Sequence, residues 1–127
     1  MDKPHHKLLC WKKSVELSVL VYEVTRKFPR EELYGLTSQL RRAAVSAPAN
    51  ISEGAADRSR DEFRNYLRIA IGSLNELNTL IEIAKRVGYL SPDDSSKVQD
   101  LADECLALTF GLRKSLSTAH RSPLTAH

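Results

Sequence analysis

Between Phe63 and Ala84 the apolar residues recur at alternating spacings of four and three: Phe63, Leu67, Ala70, Leu74, Leu77, Ile81 and Ala84. Two such positions in every seven residues, sustained over three heptads, make a stripe along one side of a helix. Ser59 and Glu62 precede it at capping-box spacing, where each side chain takes an orphan backbone N–H of the first turn. Gly88 provides a left-handed stop. The same reading gives three more helices. The first spans about Leu9 to Phe28 and is ended by Pro29; Trp11, Val15, Val19 and Tyr22 form one stripe, and Leu17, Leu20, Val24 and Phe28 the adjoining one. The second begins near Leu36, after Gly35, and carries Leu40, Ala44, Ala47 and Ile51. The fourth opens on Ser91, Pro92 and Asp94, an N-cap, a first-turn proline and an N3 acid, and carries Val98, Leu101, Cys105, Leu108 and Leu112 before a polar remainder.

Four long segments joined by short connections predict an all-α fold, an up-down-up-down antiparallel four-helix bundle. One domain then covers residues 1–127, with frayed ends at about 1–7 and 118–127. A helix of roughly 25 residues is about 38 Å long, so such rods have much side surface. On the third helix the seam is flanked by Tyr66, Ile69, Leu80, Ile83 and Val87 on one side and by Arg60, Arg64 and Arg68 on the other; only Ile71 disturbs this division. An apolar arc that wide requires a second contact, either another helix of the bundle or another subunit.

The segment SAPANISEG, residues 46–54, interrupts the second helix's pattern. Pro48 cannot donate to the Ala44 carbonyl and its ring crowds that turn, at a cost of about 3 kcal/mol in a regular interior, so the helix is expected to bend or break there. Two compensations are available: Pro48 restarts a helix as its first residue, or Ser46 and Asn50 bond the loosened backbone. Ala43, Ala44, Ala47 and Ala49 let a neighbouring helix approach closely. Ser46, Pro48, Asn50 and Glu53 are therefore candidates for a helix kink and an oligomer contact.

Composition narrows the chemistry. The 127 residues are 42% hydrophobic, enough for one core, but no uninterrupted apolar run exceeds a tetrad such as Val19 to Tyr22, which argues against a signal peptide or a membrane span. Cys10 and Cys105 lie far apart in sequence with no C-x-x-C spacing, as expected of reduced thiols in a cytoplasmic protein. Cys105 falls on the fourth helix's apolar repeat, where core packing is the ordinary role. The four histidines, His5, His6, His120 and His127, sit near the termini, so the Glu-x-x-His pairs of a di-iron bundle do not exist. His5, His6 and Cys10 are the one conceivable metal set, and a flexible N-terminal arm is its plainer meaning. Gly54 and Gly72 lie in no strand-to-helix phosphate turn. Neither a metal, a cofactor nor a catalytic residue is expected, and the chain is read as a non-enzyme.

Charge is distributed unevenly. Residues 1–70 carry a net +4 and residues 71–127 a net −1, within a total of +3. A surplus of that size is common on soluble surfaces, yet its location fits an anionic partner. Arg60, Arg64 and Arg68 repeat every four residues, and Arg41, Arg42 and Arg58 lie in or just after the second helix, so guanidinium groups could bracket phosphates. Asp57, Asp61 and Glu62 are close enough in sequence to neutralise them as ion pairs.

Leu36 to Leu90 resembles the four helix bundle proteins also called 23S rRNA-intervening-sequence proteins. The likeness lies in the Q-L-R-R-A segment from Gln39, the S-x-P-x-N-I-x-E-G run from Ser46, the F-x-x-Y-L-x-I-A-x-G-S-x-x-E-L stretch from Phe63 and the closing G-Y-L from Gly88. With the W-K-K opening at Trp11 it covers nearly the whole chain. The resemblance implies a helical bundle assembling as a homopentameric ring, and a relation to the accessory protein of diversity-generating retroelements, which is similar in fold and works beside a reverse transcriptase and nucleic acid. It implies no enzymatic role and supplies no catalytic residues. Two functions of different classes follow: an oligomeric scaffold or adaptor that engages RNA, DNA or a nucleic-acid-processing protein, or a protein-only assembly module whose arginines are structural. A fivefold ring would repeat any local surplus of positive charge five times.

Overall fold

The computed structural model describes residue 5, residues 8–56 and residues 58–120, the side chains of 118–120 excepted. Four helices run in chain order: α1 (Leu9–Thr25), α2 (Leu36–Ala55), α3 (Arg60–Arg86) and α4 (Pro92–His120). Consecutive helices pack on one another, α4 closes the set against α1, and among the described residues neither diagonal pair brings its backbones comparably close. That is the square section of an antiparallel up-down-up-down bundle, as the apolar periodicity requires. Among the described residues there is no strand.

The predicted ends mostly hold. Ser59 caps α3 through a complete capping box: its hydroxyl accepts the Glu62 N–H at 3.1 Å, and the Glu62 carboxylate accepts the Ser59 N–H at 3.1 Å. Gly88, at φ +86°, ends α3. The Tyr89 N–H bonds the Ala84 carbonyl at 3.0 Å and the Gly88 N–H that of Lys85 at 3.1 Å, the pattern of a Schellman stop. Ser91 caps α4 by accepting the Asp94 N–H at 3.1 Å, with Pro92 as first helical residue. Helix α4 continues through Ser117 to His120, further than its polar composition suggested; the remainder of the expected frayed ends, residues 1–4, 6–7 and 121–127, lies outside the described residues.

Helix α1 differs from its prediction in two ways. It stops at Thr25 rather than Phe28, because the chain tightens there, with the Phe28 N–H on the Thr25 carbonyl at 3.1 Å. Phe28 thereby leaves the helix axis and packs, 7% exposed, against Tyr89 with ring centroids 5.6 Å apart. The stripe of Trp11, Val15, Val19 and Tyr22 is also not the core stripe: Val19 is 54% and Tyr22 43% exposed, whereas Cys10, Ser14, Leu17, Val21 and Val24 are buried. Of the adjoining stripe Leu17, Val24 and Phe28 are buried and Leu20 only partly, and the buried face also takes in Val21 and the small Cys10 and Ser14, which permit close helix contact.

Helix α2 is unbroken through Pro48, so the expected break does not occur. The freed Ala44 carbonyl is not taken up by Ser46 or Asn50. The Ser18 hydroxyl, reaching across from α1, lies 3.0 Å from it and 2.9 Å from its own Ser14 carbonyl. Since a hydroxyl has one hydrogen and the Ser14 carbonyl already faces a helical N–H, the Ala44 oxygen is the acceptor in need. Ser46 and Asn50 instead build a polar link to α3: Asn50 Nδ2 donates to the Ser46 carbonyl at 2.8 Å and to Ser46 Oγ at 3.1 Å, and Ser46 Oγ bonds Ser73 Oγ at 2.7 Å. The alanines do allow the expected close approach, with Ala43, Ala44 and Ala47 buried and Ala49 exposed.

The core has two parts. The larger joins Leu17, Val21, Leu40, Leu74, Leu77, Ile81 and their neighbours through most of the bundle. The smaller, around Cys10, Ile51, Leu67 and Ala70, fills the end where α1 and α3 begin and α2 and α4 finish. Phe63, Leu108 and Leu112 partly cover it. Above this smaller core lies the greatest gathering of arginines.

Candidate nucleic-acid interface

Short helix connections bring the six candidate arginines to two places. Arg58, Arg60, Arg64 and Arg68 follow the end of α2 and open α3. Arg42 lies thirteen residues before the end of α2, about 20 Å further along the axis at the usual rise, and Arg41 beside it.

Their chemical situations differ. Arg58 ties the α2–α3 corner together. It forms an ion pair and hydrogen bond with the Glu53 carboxylate, donates Nε to the Glu53 carbonyl at 2.9 Å, lies 3.6 Å from Glu62 and sits 4.9 Å over the Tyr66 ring. The hydrogen bond to Glu53 raises its pKa, and the Ser59 hydrogen bonds, then Arg58, hold the Glu62 carboxyl below its ordinary range. Arg41 is engaged in the same way at the other place: Nε donates to Thr25 Oγ1 at 2.9 Å, and the guanidinium lies 4.5 Å over Tyr22. Arg42 is exposed and without a partner among the described residues.

Among the described residues Arg60, Arg64 and Arg68 of α3 have no carboxylate partner, unlike Arg86 at the far end of the helix, which pairs with Glu82 at 2.8 Å. Among the described residues Arg60 is exposed with no partner, and Arg68 donates Nε and Nη2 only to the amide oxygen of Asn65, at 3.2 and 3.0 Å. Arg64 is half-buried, and its Nε is enclosed with no acceptor. Of the neighbouring acids, Glu62 is committed to the capping box and Arg58, Asp61 forms no ion pair among the described residues, and Asp57 lies outside them.

Two further cations at this end, Arg113 and Lys114, escaped the sequence reading. Arg113 of α4 donates Nε to the Arg64 carbonyl at 3.1 Å, and with Arg64, Phe110, Lys114 and Ser117 it lines a cavity of about 170 Å³. A usable signal existed. Phe110 falls off the apolar repeat of Leu101, Cys105, Leu108 and Leu112 and is followed within a turn by Arg113 and Lys114.

Other candidate chemistry finds little support. Burial pushes the Cys105 thiol up to about 12 and raises that of Cys10, so neither is a thiolate at neutral pH. Of the imagined metal set, His5 packs edge-on against Trp11 with centroids 4.8 Å apart, Cys10 is buried in the core and His6 lies outside the described residues. Among the described residues no group of three potential ligands converges, and no helix is long and apolar enough to cross a membrane. Glu32, which the sequence did not single out, joins both corners of the opposite end. Its carboxylate accepts the Leu36 N–H at 3.1 Å and the Tyr89 hydroxyl at 3.1 Å, and that second bond raises the Tyr89 pKa.

The arrangement of Ser46, Pro48, Asn50 and Gly54 on α2 against the opening of α3 is carried by the sequence runs that suggested a family, and the family model of the 23S rRNA-intervening sequence proteins matches residues 6–111. The chain belongs to that family. A member-like fold is seen in a crystal structure from Bacteroides thetaiotaomicron, described as a protein with unknown function from the S23 ribosomal protein family. It is 25% identical to this chain with a TM-score of 0.77, over 84% of this chain and 96% of that one. No relative is found among curated proteins. Neither description in the 23S rRNA-intervening sequence family carries a catalytic activity.

Proposed function

We propose that the protein is a non-enzymatic, homo-oligomeric scaffold of the cytoplasm that engages RNA or DNA through the arginine-rich end of its bundle, directly or beside a protein that processes nucleic acid. The observation that carries the reading is the state of Arg60, Arg64 and Arg68: three cations on one helix, none matched by a carboxylate among the described residues. Unmatched guanidinium groups at helical spacing suit phosphates arrayed along a strand. A surface ion-pair lattice, the ordinary meaning of alternating charge, would have engaged them.

Self-association rests on a different feature. Val19, Tyr22, Leu33, Tyr34 and Val45 are exposed on the outer side of α1, α2 and the turn between them. A groove of about 440 Å³ runs along Val15, Val19, Tyr22 and Val45 there. A second copy would cover this face, and a closed ring of five, which the family resemblance suggests, would present the arginine end five times over.

Filter binding of RNA and DNA across salt concentration tests the nucleic-acid reading. Binding should weaken linearly on a log–log plot, and changing Arg60, Arg64 and Arg68 together to Glu should abolish it while leaving the mass in light scattering unchanged. Absence of binding at low salt, or indifference to the triple change, removes direct binding. Dissociation of the assembly by that change would instead favour the module with structural arginines, of which Arg58 and Arg41 are the intramolecular precedent.

A further inference from the structure

The cavity between α3 and α4 has an uncommon lining. Arg64, Arg113 and Lys114 bring three cationic side chains to it, Ser117 a hydroxyl, and no acidic residue lines it among the described residues. The Arg113 Nε is spent on the Arg64 backbone carbonyl, and Arg113 has no further bond among the described residues. The Arg64 Nε is buried with no acceptor. Cationic side chains gathered beside one cavity repel, and an anion seated there would relieve that repulsion.

Phe110 decides which anion. It forms the apolar side of the same cavity yet is 60% exposed, with open space at Gly111 next to it. A bare inorganic anion would have no use for an aromatic ring. An aromatic face beside guanidinium groups is the arrangement on which an unpaired base stacks while its phosphate is held, and a paired base inside a duplex cannot reach it.

We propose that this cavity is a one-nucleotide subsite for single-stranded nucleic acid, its phosphate on Arg64 and Arg113 and its base on Phe110. The inference rests on the nucleic-acid reading above and adds to it the strandedness of the ligand and a stacking residue.

Fluorescence anisotropy with a labelled twelve-nucleotide single strand, as RNA and as DNA, and with the matching duplexes separates the two. Phe110→Ala should weaken both single strands roughly tenfold, the loss of one base stack, and leave duplex affinity unchanged, while Phe110→Tyr retains wild-type binding. Arg113→Gln should weaken single-strand binding and flatten its salt dependence. A loss confined to RNA or to DNA would place a sugar contact in the subsite, still in its favour. Equal loss on single strand and duplex, no loss, or a fall in sedimenting mass on Phe110→Ala overturns the subsite but leaves the arginine reading standing if the Arg60, Arg64 and Arg68 change still abolishes binding. If the wild-type protein binds no strand at low salt, both fail.

Discussion

At the level of single residues, the most informative contact is the one that makes Pro48 tolerable inside α2. The ring removes the donor that the Ala44 carbonyl would have had, and the Ser18 hydroxyl supplies one from another helix at 3.0 Å. The bond therefore does two jobs, satisfying α2 and fixing the register of α1 upon it. Ser18→Ala should destabilise the protein by about 1–3 kcal/mol in urea unfolding, the cost of leaving a buried acceptor unpaired. Pro48→Ala restores the helical N–H, so in that background the same Ser18 change should cost well under 1 kcal/mol. A double-mutant cycle with no coupling energy would show that the Ser18 hydroxyl serves only its own helix. None of this was legible in sequence. That Pro48 frees a carbonyl follows from its covalent structure, but Ser46 and Asn50 were the nearby donors, and the group that answers is 30 positions earlier in the chain.

At the level of helices, the legible part was what local pattern determines. The caps at Ser59 and Ser91, the stop at Gly88 and the core face of α3 were all readable, because each depends on residues within a turn or two. The choice between two apolar stripes on α1 was not, since it depends on which small residues meet α2 and α4. Gly54 belongs to the same class. It looked like a phosphate-loop glycine to be excluded, whereas its real constraint is the approach of α3: an added Cβ would lie 2.7 Å from Tyr66 Cβ and 2.9 Å from Phe63 Cδ1. Tyr66 Cβ is fixed to the backbone and cannot swing away. Gly54→Ala should therefore lower stability by roughly 1–3 kcal/mol, overriding the gain of about 1 kcal/mol that alanine brings to an open helix position. Gly72, with nothing within 4 Å, provides the control, where alanine should stabilise. The α3 cap carries a prediction in pH. Because the folded state lowers the Glu62 pKa, its contribution is present above the ordinary carboxylate pKa of about 4.3 and is lost as pH falls through the lower folded value. The Tm difference between the wild type and Glu62→Ala should thus be largest near neutral pH and narrow toward pH 3.

For the whole molecule, the four-helix architecture followed from periodicity and short connections, but the division of labour among the arginines did not. Sequence spacing grouped six; packing commits Arg58 and Arg41 to carboxylate, hydroxyl and aromatic neighbours and leaves Arg60, Arg64 and Arg68 without counter-charge among the described residues. With a net charge of only +3 on the chain, one copy presents a weak field, and useful affinity for a polyanion requires copies side by side. The surface that would bring them together is apolar and lies away from the arginine end: Val19 and Val45 stand exposed along the α1–α2 groove, where a monomer gains nothing from burying them. Sedimentation at micromolar concentration should accordingly give a multiple of 14.3 kDa, five if the ring closes as proposed. Val19→Asp together with Val45→Asp should return it to one chain with the helical circular dichroism retained, since exposed substitutions cost a monomer within about 0.5 kcal/mol each. The dissociated variant should also bind nucleic acid far more weakly although every arginine is intact, which tests the link between assembly and affinity rather than either alone. A wild-type protein that sediments as one chain would break that link at its first step, and affinity would then have to come from the arginines of a single copy.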